Sequence, residues 1–157
     1  MKRQKPDIRL DNASPDHLPV FAKMEADSDT SRFVSGYSLN RHQEEFRKPD
    51  VIYKVIKNEF EEIVGFVILA LDEDAKSIEF RRIVVSEKGK GIGRSTLSQI
   101  DKICTEELRR ARIWLDVFEF NERAISLYES CGYGRFSETE HESGKLYLYE
   151  KFPLTAS

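Results

Sequence analysis

Apolar residues recur in short strand-like runs through the first half of the chain and in a helical rhythm through much of the second. Residues 51–57, 63–71 and 77–86 are rich in Val, Ile, Phe and Tyr, and the polar stretches 58–62 and 72–76 separate them, which predicts three strands. Such connections are too short for crossover helices, so the strands form an antiparallel meander. In the third, Ile78 and Phe80 are followed by Ile83 and Val85, and the two-residue alternation slips by one. A β-bulge near Arg81-Arg82 returns both pairs to one face.

Around this meander, residues 7–10 form a short first strand, and Ser14-Pro15 reads as an N-cap with proline at the first helical position of a helix carrying Leu18 and Phe21. Asn40-Arg41-His42-Gln43 has capping-box spacing and opens a second helix that ends before Pro49. Residues 27–39, polar with Gly36, form a loop to which Phe33 and Tyr37 give apolar contacts. From Gly93 to Arg110, Leu97, Ile100, Cys104 and Leu108 keep helical spacing, with Arg109 and Arg110 at the negative end of the dipole. Residues 112–120 follow as a strand, Asn121 caps a helix that Gly132 terminates, and two last strands lie near 133–137 and 145–152.

Composition narrows the class. A chain of 157 residues with 39% hydrophobic and 34% charged residues fits one globular domain, residues 1–157. No apolar run approaches the roughly 20 residues that span a bilayer, and the polar, basic start lacks a secretory apolar stretch, so a cytoplasmic protein without membrane partner is expected. Cys104 and Cys131 stand outside any CxxC spacing and read as small core residues. His17, His42 and His141 are scattered and read as surface or capping residues, so no metal is expected. A net charge of −3 offers nucleic acid little attraction and permits an acidic cleft for a cationic amine.

Lys88-Gly89-Lys90-Gly91-Ile92-Gly93-Arg94-Ser95 joins the third meander strand to the long helix. Glycine admits close backbone approach, and a helix N-terminus presents free N–H groups and a positive dipole end, so a pyrophosphate fits there. Lys88, Lys90 and Arg94 supply positive charge, although an ordinary solvated turn has the same composition. A P-loop is excluded because Gly93 is followed by Arg94-Ser95 and the four-residue gap between glycines is missing. A dinucleotide fold is disfavoured because Thr96 stands at the third glycine position and a meander precedes the turn.

Ile83-Val84-Val85 with the glycine turn resembles the acetyl-CoA-binding segment of the GNAT acetyltransferase superfamily. Lys88 stands first in the Arg/Gln-x-x-Gly-x-Gly/Ala pattern, on a shorter connection than in many members. Leu115-Asp116-Val117 through Asn121, Ala124, Leu127-Tyr128 and Cys131-Gly132-Tyr133 resembles the family's second segment, in the correct order. The resemblance implies an α/β (α+β) fold: a mixed, mostly antiparallel central sheet flanked by helices, with two splayed parallel strands, here residues 77–86 and 112–120. It also implies that the pantetheine of acetyl-CoA lies in the splay, with N–H groups of Ile83, Val84 and Val85 toward the thioester and residues 88–95 around the pyrophosphate.

The implied reaction is N-acetylation of a primary amine by acetyl-CoA. A protonated amine must lose a proton before attack. The resemblance implies Glu79 as the general base; the alternatives are an ion pair with Arg81 or a water relay, with Glu119 and Asp116 as lesser candidates. Tyr128 matches the family's general-acid position and can protonate the leaving sulfur, or it is a core aromatic on a face with Ala124 and Cys131. Asn121 caps its helix, bonds the cofactor, or both. Arg32, Phe33 and Tyr37 are candidates to line the acceptor pocket. A catalytically idle acyl-CoA-binding module and a nucleotide-binding protein are the rival functions. The acceptor is open, whether small molecule or protein, and so is a homodimer through late strands.

Overall fold

The computed structural model describes residues 6–27, 36–87 and 90–153. Seven strands form one sheet: β1 (Ile8–Asn12), β2 (Val51–Asn58), β3 (Ile63–Leu71), β4 (Ser77–Val85), β5 (Arg112–Phe118), β6 (Gly134–His141) and β7 (Gly144–Lys151), in spatial order β1-β2-β3-β4-β5-β7-β6. Neighbours are antiparallel apart from β4 and β5. The helices are α1 (Leu18–Asp27), α2 (Leu39–Phe46), α3 (Ile92–Lys102) and α4 (Glu122–Ser130).

The strand β3 reads almost wholly apolar because helices cover both faces of the sheet at its position. On one face, Ile92, Leu97 and Ile100 of α3 and Tyr128 of α4 pack with Val67, Leu69, Ile78, Phe80, Leu115 and Val117. On the other, Leu18 and Phe21 of α1 pack with Tyr53, Val55, Phe66, Ile68 and Val84. The slip of alternation in β4 is the expected bulge: Ile68 pairs with Arg82 and Leu69 with Phe80, which leaves Arg81 unmatched. Ile78 and Phe80 before the bulge, and Ile83 and Val85 after it, then pack in the same cluster.

Four expectations need correction. Ser38, not Asn40, caps α2: its Oγ accepts from the Arg41 N–H at 3.1 Å. The long helix does not run on as α-helix to Arg110; α3 passes into a π-helical turn, Ile103–Glu107, where Leu108 N–H donates to Ile103 O, and Arg109 ends it at φ 56°. The sixth strand extends to His141 rather than stopping near 137. Finally, His42 is a fully buried residue of α2, not a surface or capping histidine. Cys104 and Cys131 are free thiols packed at the core, as read. No described helix is long and apolar enough to cross a membrane.

Candidate active site

Parallel pairing between β4 and β5 is confined to Ser77 with Arg112, Ile78 with Ile113 and Glu79 with Trp114. Beyond Glu79 the strands part and leave a wedge in the middle of the sheet. The N–H of Ser86 donates to Val64 O at 2.9 Å, and a Cβ on Gly65 would meet the Val84 carbonyl at 2.3 Å. Val84 and Ser86 therefore direct their backbone toward β3, and strand alternation turns the N–H groups of Ile83 and Val85 into the wedge. Two of the three strand residues expected at the thioester offer donors there; Val84 contributes a buried side chain to the opposite core.

At the end of β4, Gly91 takes φ 77° at the N-cap of α3, a conformation that suits glycine. The first helical bond of the turn runs from Ser95 N–H to Gly91 O at 3.1 Å, so Ile92, Gly93 and Arg94 precede it and their N–H groups have no intrahelical partner. A Cβ on Gly93 would stand 3.2 Å from Leu127 Cδ2, so glycine lets α4 close against this terminus. Arg94 is exposed with Nη1 3.7 Å from Cys131 Sγ, while Lys90 pairs with Glu87 at 3.0 Å. The donors at this terminus are backbone N–H groups, with the exposed Arg94 beside them. Lys88 and Gly89 lie outside the described residues, as do Arg32 and Phe33 of the expected acceptor loop.

Glu79 sits at the apex of the wedge. Its Oε1 accepts from Arg81 Nη2 at 2.9 Å and Nε at 3.1 Å, the ion pair considered as its alternative role. Burial nevertheless pushes the Glu79 carboxyl above its ordinary value; Arg81 pulls it down, and the Asp116 and Asp72 carboxylates add to the rise. The side chain is thus ion-paired while burial raises its carboxyl. Asp116, two residues beyond Trp114, keeps solvent contact on its open side, yet the surrounding protein pushes its carboxyl up while His141, Arg81 and Arg82 pull it down. Glu119 is exposed past the end of β5.

Tyr128 reaches the wedge from α4, edge-on to Phe80 and Tyr133 at ring separations of 6.3 and 5.8 Å. Burial pushes its phenol up, and the Asp116 carboxylate adds to the rise, so the hydroxyl stays protonated at neutral pH. Among the described residues no group is hydrogen-bonded to that hydroxyl. The core packing and the acid role are therefore compatible in one side chain. Asn121 Oδ1 accepts from Ala124 N–H at 3.2 Å, which commits its oxygen to the cap of α4 and leaves its amide donors.

Sequence reasoning missed the polar layer behind the bulge, where Glu25, His42 and Glu45 are buried beside Arg81 and Arg82. No signal in the apolar pattern could have found it, because charged residues count there as outward-facing.

Residues 18–133 match the Acetyltransferase (GNAT) family. The chain is 31% identical over 97 residues to a spermine/spermidine N(1)-acetyltransferase of Bacillus subtilis (strain 168), a stretch covering 57% of this chain and 64% of that protein. It is 30% identical, over the same shares, to a probable spermine N(1)-acetyltransferase of Bacillus subtilis subsp. natto. The match thus spans somewhat under two thirds of these relatives. A crystal structure of spermidine N-acetyltransferase from Vibrio cholerae in complex with CoA and spermine superposes with TM-score 0.81, at 18% identity, over 94% of this chain and 96% of that one, a likeness of fold.

Proposed function

The chain belongs to the GNAT acetyltransferase family, whose co-substrate is acetyl-CoA, and on that premise we propose that it acetylates a primary amine, with polyamines as the acceptor class. The observation that carries the reading is the wedge past Glu79 and Trp114, which has a carboxylate at its apex, free backbone donors along one wall and a buried phenol at the other. The residues fit the co-substrate: a pyrophosphate suits the α3 terminus at Gly91, Ile92 and Gly93, and a pantetheine amide suits the unpaired edge of β4.

In this reading Glu79 takes a proton from the bound ammonium, directly or through water, and the freed nitrogen attacks the thioester carbon. The carbonyl oxygen gains negative charge as the C–N bond forms, and the Ile83 N–H donates to it, a contribution of about 3 kcal/mol for one such donor. As the C–S bond breaks, Tyr128 gives its proton to sulfur, the acylated nitrogen releases its second proton, which returns the phenolate to phenol, and the products are the N-acetylated amine and CoA thiol. The relatives' acceptors and the carboxylates of Glu79 and Asp116, one on each of the two parting strands, support a polycationic acceptor. The exposed edge strand β6 supports a homodimer, and the cytoplasm is the proposed setting.

The test is release of CoA thiol from acetyl-CoA with spermidine, spermine, a lysine peptide and an N-terminal peptide, set beside thermal stabilisation by CoA. Turnover highest with the polyamines is expected. Stabilisation by CoA without turnover on any amine points to an idle acyl-CoA-binding module, and stabilisation by ATP or NAD instead of CoA removes the family's co-substrate from the site.

A further inference from the structure

A bulge interrupts the ladder, so the sheet alone does not fix its geometry. In β4 that looseness falls beside Ile83, the first residue after the bulge whose N–H faces the wedge. Arg82 reaches away from the wedge to the α1 face, while Arg81 bridges Glu79 at the apex and Glu45 of α2. Arg82 Nη1 lies 2.6 Å from Glu25 Oε2, and the Arg82 guanidinium stacks 4.0 Å from the centre of the Tyr37 ring. Arg81 Nη1 lies 3.5 Å from Glu45 Oε2 of α2, which also takes Arg41 and Lys48.

Behind Glu25 the chain of contacts continues. His42 Nε2 stands 2.7 Å from Glu25 Oε1, and His42 Nδ1 stands 2.7 Å from the Tyr53 hydroxyl. Burial pushes the Tyr53 phenol up, so it remains a donor beside His42 Nδ1. Side-chain exposure falls from 9% at Arg82 to 2% at Glu25 and 0% at His42. Burying such charges costs about as much as their attraction returns, so the arrangement is not explained by stability. It does fix one thing, the direction in which Arg82 leaves the strand.

The geometry points to Arg82, held by Glu25 and the Tyr37 ring, as a positioning residue that sets the β4 bulge and with it the Ile83 N–H. The kinetic part of this inference rests on the acetyl-transfer reading. Its structural part does not. Glu25→Gln keeps the shape of the side chain and removes its charge. Tyr37→Leu removes the ring face without unpairing a buried charge, so it keeps the inference testable if Glu25→Gln fails to fold. Tyr37→Phe restores the face.

Amide hydrogen exchange at Val84 and Ser86, whose N–H groups face β3 on either side of the free Val85 donor, and steady-state kinetics are measured on the full chain. Exchange at these two amides is expected to quicken in Glu25→Gln and Tyr37→Leu. The value of kcat is expected to fall on the order of 10-fold, below the ~10² that a 1 Å misplacement can cost, with KM for acetyl-CoA unchanged. Tyr37→Phe is expected to match the wild type in both. Unchanged exchange in folded Glu25→Gln and Tyr37→Leu overturns the inference, as does a change confined to the acceptor's KM, which makes these residues acceptor contacts. Quickened exchange in a protein that acetylates no amine keeps the positioning role and removes the transfer reading alone.

Discussion

Glu79 and Trp114 face each other as the last paired residues of β4 and β5, and the two strands part immediately beyond them. The closed side of this junction is heavily tied. Trp114 Nε1 donates to Asp72 Oδ2 at 2.6 Å, Arg110 reaches the carbonyls of Asp72 and Ser77 at 3.0 and 3.3 Å, and Arg112 bonds Ser77 Oγ at 3.3 Å and Glu150 at 2.7 Å. On the open side the bulge turns β4 away while β5 stays paired to β7 through Phe118. The wedge therefore follows from a stapled end and a bent strand, and its apex carries the carboxylate.

That carboxylate has opposite effects on activity and stability. Its folded value lies above the ordinary 4.5, so its contribution to stability is fully present below the unfolded value and is lost as pH rises through the folded one. Above both, the ionised Glu79 is a net cost. Glu79→Gln is expected to raise Tm relative to wild type at pH 7, with the difference gone near pH 4. It is expected to lower turnover by about 10²-fold, most strongly below the acceptor's own pKa. Thermal unfolding and rates across pH 5–9 check both; a rate profile parallel to wild type at every pH assigns Glu79 to the Arg81 ion pair alone.

For Tyr128, replacement by Phe keeps the ring between Phe80 and Tyr133 and deletes the proton donor. With protonation of sulfur limiting, kcat is expected to fall roughly 10²-fold while acetyl-CoA affinity holds. Because burial pushes the phenol up, the wild-type rate should show no falling limb from this group below about pH 10. Wild-type kcat in folded Tyr128→Phe, with single-turnover rates also unchanged, returns the residue to the core.

Much of this was legible in the sequence, for identifiable reasons. The bulge showed as a one-residue slip between Phe80 and Ile83, because alternation in a half-buried strand records which face each side chain meets. The glycine cradle showed because the φ of Gly91 and the closeness of Gly93 to Leu127 admit little else. Which N–H groups of residues 83–85 face the wedge was not legible, since that depends on pairing with β3. Nor was the layer of Glu25, His42 and Glu45, whose burial is set by the arginines of a strand distant in sequence. The π-helical turn after Lys102 was hidden as well, because Cys104 and Leu108 keep helical spacing across it.

Gly91 separates conformational cost from collision. Among the described residues a Cβ there would meet Pro6 alone, Cδ at 3.6 Å and Cγ at 3.9 Å, but would sit at φ 77°, which costs a residue other than glycine about 1–2 kcal/mol. Gly91→Ala is expected to lose roughly that much stability and to weaken CoA binding by about 10-fold, as the backbone of the cradle is displaced. Gly91→Asn should lose less, because Asn visits this region more readily. Calorimetric titration with CoA and thermal unfolding measure the two effects, and CoA affinity unchanged in both variants removes the pyrophosphate from this turn.

The last expectation concerns Gly65, opposite Val85 on β3. A Cβ at this position would lie 2.3 Å from the Val84 carbonyl oxygen and 3.2 Å from Val85 Cα, and both are backbone atoms that no rotamer change can move. Gly65→Ala must push the end of β4 away from β3 and toward the wedge. Overpacking of this kind costs about 1–3 kcal/mol, and at about 2–4 °C per kcal/mol for a chain of this size Tm should fall by roughly 2–12 °C. The displaced strand carries Ile83 and Val85, so acetyl-CoA binding should weaken along with stability. Gly134→Ala is the matched control: a Cβ there meets nothing within 4 Å on the exposed edge strand, and its Tm should stay within about 2 °C of wild type by the small size of open surface effects. Equal Tm in the two variants would show that β3 and β4 do not approach as closely at Val84 as the wedge geometry requires.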